Sequence, residues 1–318
     1  MKKLPYGITD FKELIEQDCY YVDKTKYLEH LENDDNVIIY LRPRRFGKTL
    51  FTSMMSYYYD INSKDLFDSL FKDTYIFDNP TPNKNNYYIF KLDFSGIGNS
   101  NDINELKKIF TDEVRRKIEN FISKYNLNID INLEKDNPAS LVSDFFNAFD
   151  MLQLDNKLYV IIDEYDNFTN SILGNDIEMF KDILGDTGFV KNFYAELKKA
   201  RGSVIGRIFI TGVCSISLDS MTSWFNIGTN ITNIEKYNAM TALTYEEVKT
   251  IINQMDIENK EEIFNILVDN YDGYKFSEDV DYKVFNTTLV MYYLNNIIKN
   301  GKAPNQLIDS NIISNNYS

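Results

Sequence analysis

Five apolar residues, Val37-Ile38-Ile39-Tyr40-Leu41, run directly into Arg42-Pro43-Arg44-Arg45-Phe46-Gly47-Lys48-Thr49. An unbroken apolar run of this length predicts a strand buried on both faces, as in a parallel sheet. A strand followed by Gly-Lys-Thr and then a helical pattern has the order of a phosphate-binding loop. The general pattern is Gly, four residues, Gly-Lys-Ser/Thr, and here Arg42 stands at the leading Gly position. Gly-Lys-Thr is a common tripeptide and basic runs are usually solvated faces, so the loop needs a second feature to support it.

The chemistry of such a loop defines what each residue would do. Successive backbone N–H groups and a helix N-terminus together favour an anion. Gly47 permits close approach and unusual torsions. Lys48 would reach the β- and γ-phosphates, and Thr49 would offer its hydroxyl to Mg2+. Pro43, Arg44 and Arg45 stiffen and charge the loop entry.

The second feature is Tyr159-Val160-Ile161-Ile162-Asp163-Glu164, an apolar strand ending in two acids. Asp163 in that position would help hold Mg2+ and its waters, and Glu164 would orient and deprotonate an attacking water. An acidic turn is the simpler account of either residue alone. Two strand ends with complementary chemistry, brought together by adjacent strands at the switch point of an open sheet, make a nucleotide site the better one. Thr211 ends a further strand and is a candidate γ-phosphate sensor, or merely the end of that strand before Gly212. Asp166, Asn167 and Asp219 are polar loop residues without a specific role. Arg201 and Arg207 could stabilise charge, although surface arginines are the simpler reading.

Composition narrows the alternatives. The chain has 318 residues, 43% of them hydrophobic, with 23 Tyr and 22 Phe, which suits a folded domain with a substantial core. A formal net charge of −14 argues against intrinsic nucleic-acid binding, with only local patches such as Arg42, Arg44 and Arg45, or Arg115, Arg116 and Lys117, to oppose it. His30 is the single histidine, which removes a Ser-His-Asp triad or a His-based metal cluster. Cys19 and Cys214 are too few for a disulfide framework or a zinc site and suit a reducing compartment. No apolar run approaches the roughly 18 residues of a membrane span, so a cytoplasmic location is expected.

Strands are predicted at 20–23, 37–41, 88–93, 158–163 and 204–212. Helices are predicted at 25–32, with Thr25 as a cap, and at 48–59, 104–125, 138–152, 177–200, 245–255, 260–271 and 287–299. In the longest, Leu106, Ile109, Phe110, Val114, Ile118 and Phe121 recur at helical spacing. The alternation predicts an α/β fold, a parallel sheet flanked by helices, with a helical C-terminal subdomain. The expected division is 1–242 for the α/β core with its N-terminal extension and 243–318 for the helical subdomain.

Several further segments carry a resemblance. They are Leu4-Pro5-Tyr6-Gly7-Ile8-Thr9-Asp10-Phe11, Tyr21-Val22-Asp23-Lys24-Thr25, Ile162-Asp163-Glu164-Tyr165-Asp166, Ile210-Thr211-Gly212-Val213, Phe225-Asn226-Ile227-Gly228-Thr229-Asn230 and Tyr271-Asp272-Gly273-Tyr274-Lys275-Phe276. In that order, and together with the loop, they give nearly the whole chain a resemblance to the AAA-ATPase-like family, whose members often carry a C-terminal PD-(D/E)XK nuclease-like domain. The resemblance implies a P-loop NTPase fold of ASCE type, with ATP and Mg2+ as cofactors. It implies that the loop from Arg42 to Thr49, with Phe46 among its residues, contacts the nucleotide, and that Arg is usual at the first loop position. By analogy with related ATPases, the segment from Tyr21 to Thr25 lies near the adenine. Many relatives carry an Arg soon after the Thr-Gly-Val segment, where this chain has Cys214-Ser215, so no arginine finger carries over. Glu196-Leu197-Lys198 has nuclease-like spacing but lies in a helical pattern.

The expected function is that of an ATP-binding, Mg-dependent NTPase that hydrolyses ATP to drive or gate a conformational change. The alternative is an ATP-binding switch or scaffold with little hydrolysis, controlling a partner or a fused nuclease-like effector. Expected partners are the nucleotide and either a second copy of the chain or another protein, with no role for a membrane.

Overall fold

The structure is a computed structural model that describes residues 2–215, 228–304 and 306. Helices α1 (Phe11–Glu16) and α2 (Lys26–Glu32) precede strand β1 (Val37–Leu41) and helix α3 (Lys48–Tyr59). A 3-10 turn at Ile61–Leu66 and short helices α4 (Phe67–Phe71) and α5 (Tyr75–Asp78) lead to β2 (Tyr88–Asp93). The chain continues through α6 (Ile103–Tyr125), α7 (Pro138–Met151), β3 (Leu158–Asp163), α8 (Asn167–Leu173), α9 (Ile177–Leu184) and α10 (Phe189–Ala200). Strands β4 (Ile205–Gly212) and β5 (Thr229–Asn230) complete the sheet.

The sheet order is β2-β3-β4-β1-β5, and every pairing is parallel. The protein therefore has the α/β architecture of a P-loop NTPase-like domain. Strands β1 and β3 are not adjacent, contrary to expectation: β4 lies between them. Their C-terminal ends still meet, because Leu41 pairs with Gly212 and Ile162 pairs with Ile210 across β4.

Burial on both faces accounts for the unbroken apolar run of β1. Val37, Ile39 and Leu41 join one cluster with Phe110 of α6, Phe145 of α7 and Phe193 of α10. Ile38 and Tyr40 join the opposite cluster with Leu28 of α2, Phe51 and Met54 of α3, and Phe71 of α4. Each such buried side chain contributes about 1.5–3 kcal/mol relative to exposure.

Three local expectations are corrected. Residues 20–23 form no strand; Asp23 instead accepts from Thr25 N and Oγ1 and from Tyr75 N, which holds the segment extended. Thr25 starts α2 without a side-chain cap bond, because its hydroxyl donates to Asp23 and accepts from Ile76 N. The helical region at 177–200 is two helices, since Gly-Asp-Thr-Gly at 185–188 has neither helix propensity nor an apolar face to bury.

Beyond residue 243 lie α11 (Tyr245–Gln254), α12 (Lys260–Tyr271), an antiparallel pair β6 (Asp272–Tyr274) and β7 (Val284–Phe285), and α13 (Thr287–Asn300). A capping box between Thr244 and Glu247 starts α11. These elements share a cluster that includes Leu267, Phe285 and Leu294, and Leu4, Tyr6, Tyr20 and Val22 pack onto it from the N-terminal segment. Among the described residues no helix is long and apolar enough to cross a membrane.

Candidate functional site

The site gathers at the C-terminal end of the sheet, where parallel strands deliver their last residues and following loops to one edge. Arg42 N donates to Gly212 O at 3.1 Å, so the β1–β4 ladder continues to the loop itself. The loop then turns at Arg45 (φ 71°) and Gly47 (φ 78°), both left-handed. Gly47 precedes α3, which has no side-chain N-cap, so the N–H groups of its first turn lack intrahelical acceptors. A Cβ on Gly47 would also lie 3.3 Å from Thr241 O.

Lys48 is buried and donates to Arg42 O at 3.1 Å and Pro43 O at 3.2 Å. Its Nζ lies 3.6 Å from Glu164 Oε1. Burial pushes the Lys48 ammonium below its ordinary pKa, against the pull of Glu164, Asp163 and Asp166. Burial pushes Glu164 up; Lys48 opposes this, while Asp163 and Asp166 add to it. Glu164 has φ 53°, the left-handed turn by which the chain leaves β3.

Asp163 is fully buried, and Thr52 Oγ1 donates to its Oδ2 at 3.1 Å. Its Oδ1 has no hydrogen-bond partner. Burial raises the carboxyl above its usual range; Lys91 pulls it down, Asp93 pushes it up, and Thr52 and Thr49 stabilise the ionised form. Asp93 stands in register with Asp163 on β2. Thr211, one strand over, is also fully buried, with Oγ1 unpartnered.

Asp166, which sequence reasoning left without a role, ties the two loop ends together. It accepts from Val213 N at 3.1 and 3.0 Å, from Cys214 N at 2.8 Å and from Asn170 Nδ2 at 2.9 Å. Tyr165 donates its hydroxyl to Cys214 O. Gly212 permits this closeness: a Cβ there would lie 2.5 Å from both Asp166 Oδ1 and the Tyr165 ring. Asn167 bridges outward, accepting from Arg44 at 3.3 Å and donating to Phe94 O and Ser95 O.

Other expected residues lie elsewhere. Arg42, placed by sequence among the nucleotide contacts, turns its guanidinium away from the loop cavity onto Leu41 O, Thr232 O and Tyr237 O. Phe46 is likewise buried away from it, edge-on to Tyr274 and Phe276 at 4.7 and 5.3 Å. Arg207 is neither a surface residue nor a charge stabiliser at this site. It is buried at the opposite end of the sheet, donating to Asn36 Oδ1, Leu31 O and Asp35 O. Arg201 is exposed, and Asp219 lies outside the described residues.

The N-terminal segment contributes more than its sequence indicates. Pro5 through Thr9 line one cleft of about 390 Å³ with Gly47, Lys48, Thr49, Glu164 and Thr288. A narrow apolar slot adjoins it at Gly47 and is walled by Tyr21, Val22, Leu50, Met54 and Met240, with Lys24 among its few polar neighbours. Lys24 is held by both carboxylate oxygens of Glu247, at 2.6 and 2.8 Å. Only the recurrence of Leu-Pro-Tyr-Gly-Ile-Thr as a family segment could have pointed to these residues.

Comparison with known proteins bears on the family of the chain. The chain is 45% identical over 56 residues to an uncharacterised protein in the vnfD 5′ region of Azotobacter chroococcum mcd 1. That match spans 17% of this chain and 11% of the relative. The family described as Predicted AAA-ATPase matches residues 5–222, which include the loop, the acidic strand end and Thr211. The chain belongs to this AAA-ATPase-like family.

Proposed function

We propose that the protein binds ATP with Mg2+ and hydrolyses it, in a cytoplasmic setting. The observation that carries this reading is the convergence, at one sheet edge, of the left-handed Gly47 turn, the Lys48–Glu164 pair and the unpartnered Asp163 Oδ1. The residues suit the absent groups. Uncapped N–H groups at the start of α3 suit phosphate oxygens, and the orphaned Asp163 Oδ1 suits a cation's water shell. When bound, Mg2+ would neutralise and orient the phosphates.

In this reading Lys48 exchanges its loop carbonyls for phosphate oxygens, and Thr49 and Asp163 hold the cation. Glu164, freed from Lys48, takes the proton of the attacking water, and burial makes it a stronger base than an exposed carboxylate. Thr211 donates its hydroxyl toward the phosphate end. Arg44, exposed beside Asn167, and the backbone of residues 42–47 line the phosphate path. The apolar slot by Tyr21 and Met54 takes the base. Residues 1–242 form the nucleotide core and 243–318 respond to its occupancy.

A second reading, a nucleotide-gated switch with little turnover, has its own support. Lys48 is held by two carbonyls and by Glu164, so binding must break internal contacts before catalysis begins. Such a switch would act on a partner protein, a second copy or a fused effector. Turnover measured with and without candidate partners, and across protein concentrations, separates the readings. Saturable binding with negligible hydrolysis at every concentration favours the switch, and no Mg2+–ATP binding at all removes both.

A further inference from the structure

Arg42 presents a problem that the loop pattern does not solve. It is 1% exposed and, among the described residues, no carboxylate forms an ion pair with it. A buried charge without a counter-ion is costly, so its surroundings must compensate. Its guanidinium lies over the Tyr40 ring at 4.4 Å and over the Phe276 ring at 3.9 Å. It also donates to Thr232 O and Leu41 O at 2.8 Å and to Tyr237 O at 2.9 Å. Two ring contacts together with a fork of donors to three carbonyls suit a guanidinium, whose fixed fork an ammonium lacks.

Phe276 belongs to the segment after β6, and its N–H is fixed by Asn238 Oδ1 at 3.0 Å. The same ring packs edge-on against Phe46. One C-terminal side chain thus touches the loop at its entry, Arg42, and before its final turn, Phe46. A third tie lies between them, where Thr288 Oγ1 donates to Arg45 O at 2.7 Å. Arg42 O, on the same residue as the clamped guanidinium, accepts from Lys48 Nζ.

We propose that Arg42 is a positioning residue. Its guanidinium, clamped between Tyr40 and Phe276, fixes the loop carbonyls that set where Lys48 stands. The inference rests on the nucleotide reading for its consequence and on packing alone for its geometry. It makes the leading Arg the device that couples loop shape to the C-terminal elements. Movement of the Phe276 segment would then alter phosphate affinity.

Arg207 provides a matched control: a second buried arginine on three oxygen acceptors, at the far end of the sheet. The test compares Arg42→Lys, Phe276→Leu, Phe276→Tyr and Arg207→Lys in the full chain. The readouts are amide hydrogen exchange over residues 42–49 without nucleotide, Mg2+–ATP affinity and thermal midpoint. Arg42→Lys and Phe276→Leu should speed loop exchange and weaken ATP binding by roughly tenfold. Phe276→Tyr, which keeps the ring face, should preserve both. Arg207→Lys should lower the midpoint and leave both unchanged. Unaltered loop exchange in Arg42→Lys, or equal loosening by Arg207→Lys, overturns the proposal. Should Arg42→Lys not fold, the Phe276 pair decides the matter. If the wild type binds no ATP, the nucleotide reading falls by itself and the exchange comparison still decides Arg42.

Discussion

Lys48 Nζ lies 3.6 Å from Glu164 Oε1 while also donating to the carbonyls of Arg42 and Pro43. The residue proposed to bind phosphate therefore holds the residue proposed to activate water. Both are largely buried, so each depends on the other for compensation until a ligand intervenes.

Removing either partner should separate their roles. Lys48→Ala should abolish Mg2+–ATP binding, whereas Glu164→Gln should retain it and lose turnover by about 10²–10⁴-fold. Calorimetric binding and phosphate-release assays on the two variants check this, and undiminished hydrolysis in Lys48→Ala refutes the assignment.

Turnover should also carry the signature of a buried base. Glu164 acts only when ionised, and its pKa is raised by burial. The rate should therefore fall as pH drops through that raised value, placing the acid limb above the ordinary carboxylate range. A kcat/KM–pH profile, which reports the free enzyme, limited only near the normal Glu pKa would contradict the role.

Asp163 is expected to cost the free protein stability. Its folded pKa lies above the ordinary value of 3.8, so the native state binds more protons than the unfolded chain between the two values. This contribution to stability is present below 3.8 and is lost as pH rises through the folded pKa. Asp163→Asn should raise the thermal midpoint of the nucleotide-free protein at neutral pH by a few degrees while removing stabilisation by Mg2+–ATP. Scanning calorimetry of both forms measures the two effects together.

The Asp166 clamp predicts a coupled pair of losses. Gly212→Ala should destabilise by about 1–3 kcal/mol through overpacking against Asp166 and Tyr165. Asp166→Asn should cost about 1.5–3 kcal/mol in charge-assisted hydrogen bonds to Val213 N and Cys214 N. Since the two residues touch, the double variant should lose less than the sum in urea denaturation.

Lys24 and Glu247 join the N-terminal segment to α11 through a pair whose side chains are 10% and 27% exposed. Lys24→Met should cost about 1 kcal/mol, because Glu247 keeps its bond from Thr244 N and partial access to water, and Glu247→Gln alone and in the double variant completes the cycle. Losses that add across the two single variants and the double variant in denaturation would show that the pair carries no coupling.

Much of the core was legible because local pattern and tertiary fate coincide there. Strands β1, β2 and β3 and helix α3 are where apolar runs and helical spacing place them, since β1 and β3 are buried whole, β2 buries Ile89, Phe90 and Leu92, and α3 buries most of its length. Strands β5 and β7 have two residues each and β6 has three, too short for any period to register. Tyr20 to Asp23 has β-forming residues, but the backbone pairing stops at Tyr20 N, which donates to Lys3 O beside the Lys3–Cys19 bridge, so propensity misled.

By itself the sequence determined the chemistry available: a Gly-Lys-Thr turn after one buried strand, an Asp-Glu pair after another, and the α/β class that puts both at one edge. Those features are local, within a few residues of their own hydrogen bonds and burial. Only the tertiary structure decided that β4 separates the two strands and that Pro5 to Thr9 line the cleft. It also decided that Asp166 ties β3 to β4, and that Arg42 and Arg207, similar as letters, hold opposite ends of the sheet. Side-chain direction and partner choice depend on contacts between residues as far apart as Arg42 and Phe276, and such contacts leave no periodic trace in the chain.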